Sequence, residues 1–306
     1  MKIISGEPRR DRQIKAKNNY RKRRRRRFLI ALVIILLAVA ALFVDSNTRI
    51  KTAEYELHYQ NLPDAFDGFR IVVLSDMHGA EYGENNERLI SKIREAEPDI
   101  ITITGDLIDR FQAKKPVEKQ IEIAKTLVDG LLPIAPVYYI TGNHEWDTGA
   151  IRTLLVLLED QGVQILRNRF TRLHAGSETI ILAGTDDPNG PADMIKPREF
   201  VEGIRRSGET GFIVMLEHRN YNLPLYSELG VDLVLSGHAH GGMVRLPFTD
   251  GIIGPSLELF PTYTDGIYNM GDTNMLVSPG LGNHLGWTRF LNNPQITVAV
   301  LRQIEN

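Results

Sequence analysis

Short apolar runs recur along this chain from residue 70 onward, and each stops at a polar residue or a glycine. They cover residues 70–74, 100–103, 137–140, 212–216 and 231–235. Their Ile and Val content suits strands buried on both faces. Residues 84–97, 117–131 and 149–161 carry helical spacing between such runs. Alternating strands and helices predict an α/β layered fold, here two packed sheets with helices outside. Residues 45–61 read as a short polar linker, about ten residues between helix and body, then a first strand over 53–59. Residues 243–274, rich in Gly, Pro and aromatics, predict hairpins and loops, and residues 275–277 and 296–301 predict closing strands.

One stretch breaks this pattern. Residues 28–44 are seventeen positions without a charge, directly after the basic run 21–27. At about 1.5 Å per residue such a helix is about 25 Å long, at the short end of what spans a bilayer. It exceeds a signal-peptide core, and a cut at Ala38-Val39-Ala40 would fall inside the apolar run, so an uncleaved anchor is the preferred reading. Arg25-Arg26-Arg27-Phe28-Leu29 also resembles a twin-arginine export signal. Basic flanks stay cytoplasmic, which predicts a single-pass protein of the cell membrane with an extracytoplasmic body. The expected organisation is a basic cytoplasmic tail over 1–27, a transmembrane anchor over 28–44 and one domain over 45–306.

Charge sharpens the division. Residues 1–27 hold thirteen Lys and Arg against Glu7 and Asp11, a net +11. The remainder holds 23 basic and 36 acidic residues, a net −13. An acidic body argues against a nucleic-acid partner, which needs basic surface. The chain has no cysteine, so disulfides, thiolate metal sites and cysteine nucleophiles are excluded. Any metal is left to N and O ligands.

The apolar runs end in five motifs: Asp76-Met77-His78, Gly105-Asp106-Leu107-Ile108-Asp109-Arg110, Gly142-Asn143-His144-Glu145, Glu217-His218 and Gly237-His238-Ala239-His240-Gly241-Gly242. Together they hold five of the eight histidines. Asp, Asn and His at successive strand ends suit transition metals, and ligands in such folds gather at the carboxyl ends of strands. Asp76 with His78, and His238 with His240, are spaced i, i+2, so each pair shares one side of an extended segment. Asp106, placed between two cations, could bridge them. Gly237, Gly241 and Gly242 would permit close approach of backbone to metal or substrate. His58 and His174 lack partners in sequence and read as surface residues. Asp186-Asp187-Pro188 reads as a turn.

The five motifs resemble those of the calcineurin-like metallophosphoesterase superfamily, with every element present between Asp76 and His240. The resemblance implies a four-layer αββα sandwich and two divalent ions, Mn, Fe or Zn. It implies one ion on Asp76, His78, Asp106 and His240, and the other on Asp106, Asn143, His218 and His238. His144 would protonate the leaving oxygen or stabilise the pentacoordinate phosphorus, and Asp109 would orient it, unless Asp109 merely caps the helix that follows. Arg110 is either a phosphate contact or a surface ion pair. Glycine-rich segments like residues 280–284 occur in membrane-associated bacterial members, which makes His284 and Arg289 candidates for the substrate pocket. The implied reaction is attack of a bridging hydroxide on a phosphoester or pyrophosphate. The group most resembled includes phosphohydrolases of UDP-2,3-diacylglucosamine type, so an amphipathic, lipid-linked substrate is expected. Nucleotides or cell-wall phosphodiesters are the rivals, and a non-catalytic metal-bound scaffold is the alternative outside enzymology. Residues 243–274 are then either ordinary packing or an apolar wall that accepts a lipid tail.

Overall fold

The computed structural model describes residues 9–110, 115–191, 194–246, 249–255, 257–283 and 289–304. The chain forms two units, Met1–Asp45 and Ser46–Asn306. The helix α1 spans Arg9–Thr48, and its side chains over residues 28–43 are exposed. It contains the one candidate membrane span among the described residues, Gln13–Thr48. The expected linker of about ten residues is corrected. Helical structure continues through Thr48, the strand β1 starts at Lys51, and only Arg49 and Ile50 lie between.

In the body, β1 (Lys51–Tyr59), β2 (Arg70–Leu74), β3 (Ile100–Ile103), β4 (Val137–Tyr139) and β5 (Gln164–Ile165) come first. Then follow β6 (Arg169–Ala175), β7 (Glu178–Gly184), β8 (Ile213–Leu216) and β9 (Leu233–Ser236). Last are β10 (Gly266–Met270), β11 (Thr273–Val277) and β12 (Gln295–Gln303). They make two six-stranded sheets, ordered β1-β12-β2-β3-β4-β5 and β10-β11-β9-β8-β7-β6. The pairs β2–β3, β3–β4 and β4–β5 are parallel in one sheet, and β7–β8, β8–β9 and β9–β11 in the other.

Period-two alternation sorts side chains into layers. Ile71 and Val73 of β2 face a core shared with Leu182, Val214 and Leu235 of the other sheet. Val72 and Leu74 face outward, onto α2 (Glu87–Glu95), α3 (Val117–Leu131) and α5 (Ile151–Gln161) through Leu89, Leu127 and Leu158. On the other sheet Ile213, Met215 and Val234 face α6 (Pro197–Arg206) and α7 (Leu223–Glu228) through Val201 and Tyr226. The result is helix, sheet, sheet, helix. A further short helix, α4 (Asn143–Asp147), begins inside the third motif.

Candidate metal centre

The carboxyl ends of β2, β3 and β4 in one sheet and of β8 and β9 in the other deliver the motif residues to one place. The turns that do this are steep. Asp76, His78, Asp106, His238 and His240 all have φ between 47° and 67°. Left-handed backbone is costly for a residue with a Cβ, about 1–2 kcal/mol each, and such costs collect at functional sites. Gly237 lets the β9 turn close on the β2 turn, because a Cβ there would overlap the Ser75 hydroxyl and the Asp76 carboxylate.

Two sets of donor atoms converge. In the first, His78 Nε2 and His240 Nε2 are 3.2 Å apart, and Asp76 Oδ1 lies 3.8 Å and 3.5 Å from them. In the second, His218 Nε2 lies 3.2 Å from Asp106 Oδ2, 3.2 Å from Asn143 Oδ1 and 3.2 Å from His238 Nδ1. Asp106 Oδ2 is also 3.7 Å from His78 Nε2, so it stands between the sets. A first-row ion about 2.1 Å from each ligand would hold neighbouring ligand atoms about 3.0–3.4 Å apart. The donor set fits. Asp76 Oδ1 gives a second sign of fit: among the described residues it is buried without a hydrogen-bond partner, with the His240 and His78 rings only at 3.5 and 3.8 Å, a setting that a cation would relieve.

The outward atoms of several ligands are fixed by the protein. Asp76 Oδ2 accepts from Ser75 Oγ at 2.5 Å and from the His238 N–H at 3.0 Å. His218 Nδ1 donates to Thr104 O at 2.8 Å, which leaves Nε2 for the centre. Asp106 Oδ1 accepts from the His144 N–H at 2.9 Å.

Charge inside this buried cluster is unevenly shared. Burial opposes ionisation of Asp76, but His240 and His78 outweigh it and hold the carboxyl well below the usual range. Burial likewise opposes ionisation of Asp106, and His218, His144 and His78 outweigh it. Burial lowers His218, yet Asp106 against its ring raises it to about 10. Burial and the neighbouring His218 push His238 down to about 4. A proton on His218 thus occupies the place of positive charge, and a cation entering there would displace it.

His144 starts from α4 and reaches the same centre. Its Nδ1 lies 2.9 Å from Asp109 Oδ1, and its ring meets that of His78 edge-on at 4.6 Å. The Arg110 N–H is 3.1 Å from the same nitrogen. One nitrogen cannot donate to Asp109 and accept from Arg110. The carboxylate accepts only, and its contact is shorter, so Nδ1 carries a proton directed at Asp109. Cavities flank the centre on both sides. One of about 260 Å³ is lined by His78 and Asp109 with Asn47, Tyr82, Lys115 and Gly282. The other, about 300 Å³, is lined by His238 with Arg219, Tyr221, Pro255, Glu258 and Pro261.

Arg110 pairs with Asp147 at 2.6 Å. Arg289 is fully buried, and its Nε and Nη2 donate to Gly282 O at 3.1 and 2.7 Å. It holds the glycine-rich turn, whose Gly282 lines the cavity beside His78 and Asp109. His284 lies outside the described residues. A Cβ added at Gly241 would meet Asn292, and one at Gly242 would meet Gly251. The turn expected here is present, with the Gly190 N–H donating to Asp187 O at 2.9 Å, and the Asp186 and Asp187 carboxylates are also buried anchors. Asp186 binds Thr141, Trp146 and Arg167, and Asp187 binds Arg219 at 2.8 Å.

Glu145 has a role that reading the residues one by one did not assign. Its carboxylate accepts the N–H groups of Asp106, Leu107, Ile108 and Gly142 at 2.7–3.3 Å. It ties the second motif to the third. Burial, with Asp106 alongside, pushes Glu145 up to about 7. Its position inside the third motif was the available signal. Gln120 similarly holds the Asp109 backbone from α3, accepting the Asp109 N–H at 2.6 Å, and nothing in the sequence marks it.

Residues 69–242 match the model of the calcineurin-like phosphoesterase family. The chain belongs to this family. It is 32% identical over 256 residues to the metallophosphoesterase YkuE of Bacillus subtilis, covering 83% of this chain and 86% of that one. It is 28% identical over 266 residues to a transmembrane protein with metallophosphoesterase domain of Danio rerio. That alignment covers 83% of this chain and 57% of its relative. A solved dimetal phosphatase of Danio rerio aligns at a TM-score of 0.45 and 11% identity, over 70% of this chain and 88% of that one.

Proposed function

We propose that this metallophosphoesterase is a single-pass membrane enzyme that hydrolyses a phosphoester or pyrophosphate bond of an amphipathic, lipid-linked substrate outside the cytoplasm. The observation that carries the hydrolytic reading is Asp106. Its carboxylate stands between two sets of imidazole and carboxylate donors, within 3.2 Å of one set and 3.7 Å of the other. Asp76, His78, Asp106 and His240 would hold one divalent ion, and Asp106, Asn143, His218 and His238 the other. Four imidazoles favour Mn, Fe or Zn over Mg. When bound, the pair of ions supplies charge neutralisation at the phosphoryl oxygens and a water that attacks at neutral pH.

The chain's own residues do the rest. Asp109 fixes the tautomer and direction of the His144 ring through Nδ1. His144 would hand a proton to the leaving oxygen or steady the pentacoordinate phosphorus. The body's acidity and the seventeen-residue uncharged run support a membrane-tethered enzyme rather than a nuclease. The test is elemental analysis and turnover of the purified full chain in detergent after loading with Mn²⁺. Close to two tightly held ions and hydrolysis of a generic phosphodiester are expected. At most one ion, or two ions without turnover of any phosphoester, sinks the reading.

A further inference from the structure

The strongest unexplained feature of the body is a small apolar hairpin beside the His238 cavity. Its arms are residues 251–253 and 257–260, joined by an antiparallel bridge between Ile253 and Leu259. Leu257, Leu259 and Phe260 are 58, 69 and 72% exposed, and Leu246 nearby is 49% exposed. Of the other exposed large apolar side chains described in the body, Tyr221 lines the same cavity as the hairpin's Pro255 and Glu258, while Val156, Met270 and Ile304 do not line it. Leu257 and Phe260 also sit on left-handed backbone, at φ 65° and 54°. A loop selected only for stability would shed that strain by taking glycine or asparagine.

The hairpin is continuous with the start of the body. The Leu291 N–H donates to Ser46 Oγ at 2.9 Å, and the Arg289 N–H to Asn47 Oδ1 at 3.1 Å. Phe290 bridges Val244, Arg245 bridges Gly251, and the Phe260 N–H donates to Ile252 O at 2.9 Å. Segments paired in this way lie about 4.8 Å apart, which puts Phe260 on the order of 20 Å from Ser46. Ser46 is two residues past Val44, where the uncharged run ends. The same hairpin contributes Pro255 and Glu258 to the wall of the cavity that reaches His238.

From this we infer that the hairpin is the bilayer-facing edge of the metal centre: Leu257, Leu259 and Phe260 enter the membrane that holds the chain's own apolar segment. A phosphoester in the headgroup layer then meets the His238 cavity without leaving the lipid. The inference rests on the membrane reading above and adds the contact surface. The charged residues of 243–262 are Arg245, Asp250 and Glu258, and Arg245 is paired with Asp265. No basic patch is described there, so the attachment rests on apolar burial and is insensitive to salt.

The chain lacks cysteine, so a single spin label can be placed on Leu259→Cys in the full chain, reconstituted in phosphatidylcholine vesicles. The label should collide several-fold more with lipid-soluble oxygen than with a water-soluble nickel chelate, in low and high salt alike. The same label on Val156→Cys should show the reverse. A label at 259 as open to the chelate as the one at 156, or shielded from both reagents by protein, overturns the inference. A second arm replaces Leu257, Leu259 and Phe260 by serine. Catalytic efficiency on a vesicle-embedded phosphoester should drop at least about tenfold, as expected for lost apolar burial, with a water-soluble phosphodiester unaffected. Equal loss on both substrates also overturns it. Absence of all turnover in the parent protein defeats the hydrolase reading instead, and the label depth still decides the contact.

Discussion

At the scale of single residues, the centre divides into groups that face inward and groups that hold them. His144 faces inward but is argued to act on the phosphoryl group without holding metal. His144→Asn should lower turnover by roughly 10²–10⁴, the range of general acid–base catalysis. Metal content by elemental analysis should stay within error of the parent, and loss of the ions would reassign the residue as a ligand. Glu145 is a holding residue. Its two oxygens serve four N–H groups, an arrangement only a carboxylate satisfies. In Glu145→Gln the amide NH₂ would point at backbone donors. Whichever oxygen is replaced, two N–H groups lose their acceptor, and at about 1–3 kcal/mol for each the variant should lose about 2–6 kcal/mol in denaturant unfolding and bind metal more weakly. A variant as stable as the parent would show that the four contacts carry no net energy.

At the scale of elements, the site is a property of strand ends and of how closely two turns approach. β2 and β9 belong to different sheets, and their turns touch where Gly237 meets Ser75 and Asp76. A methyl group there forces the turns apart. Gly237→Ala should cost about 1–3 kcal/mol, as overpacking of a filled site does. Because the shift moves His238 and His240 away from Asp76 and Asp106 together, both ions should be lost or weakened in parallel. Selective loss of one ion, read by metal titration, would mean that the two sheets hold their ligands independently.

At the scale of the whole molecule, the ligands come from both sheets, so bound ions would tie the sheets together at one end. Ligands that bind only the folded state raise its stability, by about 2.7 kcal/mol for each site at a hundredfold excess over Kd. Chelation should therefore lower the thermal midpoint of the body, and Mn²⁺ should restore it. An unchanged midpoint after verified metal removal would argue against ligation across the sheets. The charge asymmetry acts at the same scale. Residues 1–27 carry a net +11 and the remaining chain −13, a bias that should keep the tail in the cytoplasm and the body outside. Protease added to intact cells or spheroplasts should degrade the body and spare the tail. Protection of the body while other external proteins are shaved would reverse the orientation, and a mature chain starting near Ala41 would show a cleaved export signal.

By itself the sequence determined what depends on neighbours along the chain. Ile- and Val-rich runs specify buried strands, their ends carry Asp, Asn and His, and the uncharged run after the arginines specifies a long apolar helix. Each is a local pattern of period or composition, readable in a window of about ten to twenty residues. The tertiary structure alone decided which strand ends meet. His78 and His240 are 162 positions apart in sequence and 3.2 Å apart in space, and no local pattern encodes such a contact. It also decided that Arg289 is fully buried, and that Glu145 fastens the loop carrying Asp106. Nor did the sequence reveal that Asn47 is hydrogen-bonded to the Arg289 backbone. Polar side chains like these look alike in sequence whether they face solvent, substrate or a buried amide, and only the packing around them settles which.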